Sequence, residues 1–105
     1  MKLSTLVLAA AALGAAGAAQ AQDAAALLQK SGCTACHAID KKLVGPAYND
    51  VSAKYKGDAT ALAKLSEKVK KGGSGVWGPV PMPPNAAVSD ADIKTMVAYV
   101  LALKK

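Results

Sequence analysis

The spacing of apolar side chains predicts helices and loops. Near the C-terminus Ile93, Met96, Val97, Val100 and Leu101 recur at i, i+3, i+4, i+7 and i+8, which puts them on one face of a helix. Ser89, with Asp92 three residues on, is a capping-box-like start to it. A second helix is predicted from about Thr60 to Lys71: Leu62, Leu65 and Val69 share a face, Asp58 or Thr60 caps the start, and Gly72-Gly73 ends it. Asp23 ahead of Ala24, Ala25, Ala26, Leu27 and Leu28 reads as the cap of a short helix stopped by Gly32. Ile39 to Asn49 carries Gly45-Pro46 and reads as loop, and Val51 to Lys56 as a short helix ending at Gly57. Between Gly72 and Asn85 stand four glycines and four prolines, so residues 72–88 read as irregular loop with polyproline character. No stretch shows strand-like alternation. The expected fold class is all-α, with several short helices and one long, stiff loop.

The N-terminal segment follows another logic. Lys2 precedes an apolar run from Leu6 to Ala19, and Ala19-Gln20-Ala21 has the A-x-A form of a cleavage site. The run is shorter than the ~20 residues that span a bilayer. Residues 1–21 are therefore expected to be a cleaved signal peptide and residues 22–105 a single exported domain. The chain holds 13 basic against 7 acidic residues, a formal charge of +6, and loss of Lys2 lowers this to +5. A domain this small buries little apolar surface and calls for a staple. With only two cysteines and one histidine, the chemistry available is narrow.

Cys33-Thr34-Ala35-Cys36-His37 is C-x-x-C-H, the attachment signature of c-type haem. Two thiols three positions apart can each add to a vinyl group on one porphyrin edge, and the adjacent imidazole then reaches the iron. A thioredoxin-like motif would need a βαβ framework; zinc would need a fourth ligand such as Asp40 or water; a Cys33–Cys36 disulfide would close too short a loop to stabilise much. His37 is the only histidine, so a second axial ligand must be methionine, lysine or water, or be missing. Met96 lies on the apolar face of the last helix, as a core residue would. Met82 stands in Pro81-Met82-Pro83-Pro84, where helix packing does not explain it and stiff flanks would hold its sulfur in place. His/Met ligation raises the reduction potential and fills the position where oxygen would bind, so such an iron passes single electrons.

Beyond C-x-x-C-H, the stretches Gly32-Cys33-Thr34-Ala35-Cys36-His37-Ala38-Ile39-Asp40, Val44-Gly45-Pro46-Ala47-Tyr48 and Gly75-Val76-Trp77-Gly78-Pro79-Val80-Pro81-Met82-Pro83-Pro84-Asn85 resemble the small bacterial class I cytochromes c of the cytochrome c-551 (cytochrome c8) family. The resemblance runs from about Asp23 to Leu103. It implies a cytochrome c fold around one covalent haem c, thioethers at Cys33 and Cys36, and iron ligation by His37 and Met82. It further implies that the Pro46 carbonyl accepts the His37 Nδ1 proton, that Asn85 donates toward the Met82 sulfur, and that Trp77 and Lys68 contact haem propionates.

The function expected on these grounds is a periplasmic one-electron carrier, not an enzyme, shuttling between a membrane quinol-oxidising complex and a terminal reductase or oxidase. The resemblance suggests nitrite reductase, a cytochrome oxidase or a peroxidase as acceptor. The lysine-rich surface fits acidic redox partners. The absence of arginine and of aromatic interleaving argues against nucleic acid. No stable membrane insertion is expected of the mature chain, and a monomer is. The competing function is a haem enzyme or gas sensor in which Met82 dissociates.

Overall fold

A computed structural model describes residues 23–103. The expected leader and its cleavage site lie outside them, as do Lys104 and Lys105. In chain order the elements are helix α1 (residues 23–30), a 3-10 turn (Cys33–Ala35), α2 (Tyr48–Lys54), α3 (Ala61–Lys71), strands β1 (Gly73–Gly75) and β2 (Gly78–Met82), and α4 (Asp90–Leu101).

The amphipathic α4 is the centre of the packing. It buries Ile93, Met96, Val97 and Val100 and lies against both α3 and α2. Leu28 of α1 and Tyr48 and Val51 of α2 complete the same buried cluster. The Ser89 hydroxyl accepts from the Asp92 amide, as the capping pattern predicts. At the other end the buried Ser52 hydroxyl of α2 bonds the carbonyls of Leu101 and Leu103, which the end of α4 leaves without helical partners.

Three expectations change. Asp23 is itself helical rather than a cap outside α1. Helix α2 begins at Tyr48, ahead of the expected Val51, because Ala47 and Tyr48 are buried and the Tyr48 and Asn49 amides bond back to Ala38 and Ile39. The expected loop at 72–88 contains an antiparallel hairpin, with Gly73 paired to Met82 and Gly75 to Gly78 and an irregularity between the pairs. Glycine and proline hide such a hairpin from periodicity, since it offers no alternating side chains, and Pro79 and Pro81 donate nothing to the ladder. Apart from this hairpin, the regular elements among the described residues are helical.

Candidate functional site

The chemically distinctive side chains come from a turn, a fold-back and a hairpin. The 3-10 turn after α1 begins at Cys33 and is capped by Cys36, and the His37 amide donates to the Cys33 carbonyl at 3.0 Å. Residues 37–46 then fold back. His37 bridges to Lys42, and the Gly45 amide donates to the Cys36 carbonyl at 2.7 Å. This return brings Pro46 to the imidazole, whose Nδ1 lies 2.8 Å from the Pro46 carbonyl oxygen. With Nδ1 so engaged, Nε2 is the nitrogen left for a metal. Gly45 packs against the ring itself: a Cβ there would stand 2.5 Å from Cε1 and 2.9 Å from Nδ1. The Tyr48 ring stacks on His37 with centroids 5.0 Å apart and planes 20° from parallel.

Met82 closes β2, and its carbonyl lies against Gly72 at the end of α3. Gly72 has φ 74°, and a Cβ on it would meet the Met82 oxygen at 2.5 Å and the Pro84 nitrogen at 2.9 Å, so backbone conformation and close approach both demand glycine. Asn85 differs from expectation. Its amide nitrogen donates to the carbonyls of Val69 at 3.1 Å and Pro83 at 3.3 Å, and its backbone N–H also bonds Val69. These bonds tie the loop to α3, and none of the described hydrogen bonds of Asn85 reaches the Met82 sulfur.

Cys33, Cys36, His37 and Met82 all line one cavity of about 410 Å³, as do Pro46, Trp77 and Lys68. The volume falls within the ~300–1,000 Å³ usual for cofactor sites. Its inner wall is apolar, built from Leu28, Val51, Val97 and Val100 with the buried Met96. Its outer wall carries Val44, Val76, Trp77 and Val80, which are 42–60% exposed. Large apolar side chains facing outward around a cavity suit a flat hydrophobic ligand that covers them. Trp77 sits at the hairpin tip with the Lys54 ammonium 5.6 Å from its ring centre, a contact that no spacing in the sequence suggests.

Electrostatics fit the same picture. Burial pushes the Cys33 thiol up; its own backbone hydrogen bond opposes this and neighbouring Cys36 adds to it. Burial likewise raises the Tyr48 phenol far above its ordinary value, with Cys33 and Cys36 adding to the effect, so it stays neutral. The two thiols are not joined to each other. Among the described residues no three His, Cys, Asp or Glu side chains converge as a metal-ion site, so Asp40 does not complete the zinc arrangement. The two-stranded hairpin gives no βαβ framework for a thioredoxin-like motif. Two thiols, an imidazole held through Nδ1 and a thioether around one apolar cavity are a donor set that suits a covalently attached haem.

Comparison with known proteins agrees. The family model for cytochrome c matches residues 21–104. This chain belongs to the cytochrome c family. Cytochrome c-551 of Pseudomonas aeruginosa is 55% identical over 86 residues, 82% of each chain. Cytochrome c-552 of Nitrosomonas europaea is 51% identical over 96 residues, 91% of each. The crystal structure of Nitrosomonas europaea cytochrome c552 superposes with a TM-score of 0.74 at 50% identity, covering 76% of this chain and 99% of that one. As a family member the chain has the class I cytochrome c fold, binds haem c covalently and is a small electron carrier. Among the described residues no helix is long and apolar enough to cross a membrane.

Proposed function

We propose that residues 22–105, freed from a leader at 1–21, work in the periplasm as a one-electron carrier and not as an enzyme. Cys33 and Cys36 would hold the haem through thioethers, and His37 and Met82 would ligate its iron. The observation that carries this reading is the convergence of these four residues on one apolar cavity, with the imidazole oriented by Pro46 at 2.8 Å. When bound, haem c supplies an iron that gains and loses one electron, at a potential raised by thioether ligation.

The chain's own groups do the rest. The Pro46 carbonyl fixes the His37 tautomer and strengthens the imidazole as a donor. Met82, as the second iron ligand, would keep external ligands out. Trp77 and Lys68 both line the cavity, which supports the reading that they would meet the propionates. The lysine excess supports docking with acidic redox partners, a quinol-oxidising complex as donor and a nitrite reductase, oxidase or peroxidase as acceptor. Raised ionic strength is then expected to slow exchange with such a partner, and salt-independent rates would remove the steering argument.

The visible spectrum of the holoprotein tests the ligation. A low-spin c-type spectrum with the weak ferric iron–sulfur band, and a ferrous form that resists carbon monoxide, is the expected result. A high-spin spectrum without that band, or rapid carbon monoxide binding, would overturn the carrier in favour of an open-site haem enzyme or sensor.

A further inference from the structure

We propose that Lys70 is a positioning residue for Met82, holding residues 83–89 as a strap against the end of α3 so that the sulfur does not swing away. The inference rests on Met82 being the axial ligand.

Upstream, Met82 is held by the short β1–β2 ladder through its pairing with Gly73. Downstream, Pro83 and Pro84 have no N–H to donate, so restraint must come from Asn85 onward. Two anchors supply it, both on the last turns of α3. The Val69 carbonyl accepts the backbone and side-chain N–H groups of Asn85. The next residue, Lys70, donates from Nζ to the Val88 carbonyl at 2.7 Å and pairs with Asp90 at 3.2 Å. Between these anchors and the hairpin, the Met82–Pro84 backbone rests on Gly72.

Lys70 differs from its neighbour on α3. Lys71 reaches Glu67 on the open surface, both side chains well exposed, and such pairs contribute little. The Lys70 side chain is about one-third exposed, at 35%, and its bond to a carbonyl is charge-assisted and partly shielded from solvent. Removing it frees the downstream end of the strap while leaving the ladder, the α3–α4 packing and all four cavity donors in place. The expected consequence is local opening at Met82 without global unfolding.

Imidazole binding to the ferric holoprotein measures that opening, because imidazole enters only when the sulfur leaves. K70M is expected to bind imidazole roughly tenfold more tightly than wild type, the scale set by loss of one charge-assisted hydrogen bond. This should occur under conditions where the helical circular dichroism is unchanged, and K70R should retain most of the wild-type resistance. Wild-type affinity in K70M, or an iron–sulfur band lost only together with the helical signal, would overturn the strap. Should K70M not fold, K70Q is read the same way: tighter binding supports the strap and wild-type binding overturns it. Failure of the ligand assignment looks different, since wild type would then lack the iron–sulfur band or M82A would retain it.

Discussion

His37 is confined by contacts on several sides: the Pro46 carbonyl on Nδ1, the Gly45 backbone against Cε1, and the Tyr48 ring stacked on it. Gly45 does not have positive φ, so what excludes a side chain there is space and not backbone conformation. G45A should therefore act as overpacking, at about 1–3 kcal/mol. A ring pushed away from Gly45 stretches its bond to Pro46. A weaker Nδ1 bond makes a poorer donor to ferric iron, so the expected outcome is a lower melting temperature together with a higher reduction potential. Redox titration and thermal denaturation of the holoprotein check both; an unchanged potential with a lowered melting temperature would mean that Tyr48 or the loop gives way instead. At this scale the sequence shows chemistry and hides contacts. C-x-x-C-H and Pro81-Met82-Pro83 announce cysteine, imidazole and thioether by type and spacing. The fit of Gly45 to an imidazole eight residues earlier depends on a loop closure that no local pattern encodes. Asn85 shows the reverse risk: resemblance aims its amide at sulfur, while the loop geometry engages it on Val69 and Pro83.

Helices whose boundaries are set by their own residues are the ones periodicity finds. Helix α4 begins after Ser89 as its cap predicts, and α3 ends at Gly72 as the glycine pair predicts. Where tertiary burial sets the boundary, as at Tyr48, or glycine and proline make the strands, as in the hairpin, periodicity is silent. The start of α3 adds a titratable device. The Asp58 carboxylate accepts from the Thr60 hydroxyl at 2.6 Å and the Thr60 amide at 2.8 Å, with Lys64 at 3.5 Å. The Thr60 hydroxyl, then the Thr60 amide and Lys64, hold its carboxyl below the ordinary 3.8. A depressed folded-state pKa stabilises the fold above the unfolded value, and that contribution is lost as pH falls through the folded value. Asp58 therefore supports α3 at neutral pH, and that support begins to fade near the ordinary 3.8 and is gone only once pH has fallen through the lower folded-state value. D58N should lower stability at pH 7 and bring the variant's melting temperature toward that of wild type as pH falls through the acid range. A constant gap between the two melting curves from pH 7 to pH 3 would show that Asp58 acts through geometry alone.

The small core and the cavity share their residues. Of the seven side chains in the buried cluster, six line the cavity, Ile93 being the exception. The face of α4 that periodicity identifies as apolar is therefore largely a cofactor wall, a distinction that hydrophobicity alone does not draw. Burial then decides what the chain does without haem. Without haem the apolar walls of about 410 Å³ face water rather than a cofactor, and a domain whose typical stability is only ~5–15 kcal/mol then loses much of its core. No disulfide offsets that loss, since Cys33 and Cys36 are unjoined. The polypeptide without haem should therefore lack a cooperative thermal transition and fixed near-ultraviolet dichroism, and the holoprotein should show both. Produced without a cytochrome c maturation system, the same residues 22–105 supply the comparison. A cooperative melt with native-like helix content in that material would mean that the walls of the cavity close on each other. Without one, attachment at Cys33 and Cys36 is part of folding as well as of electron transfer.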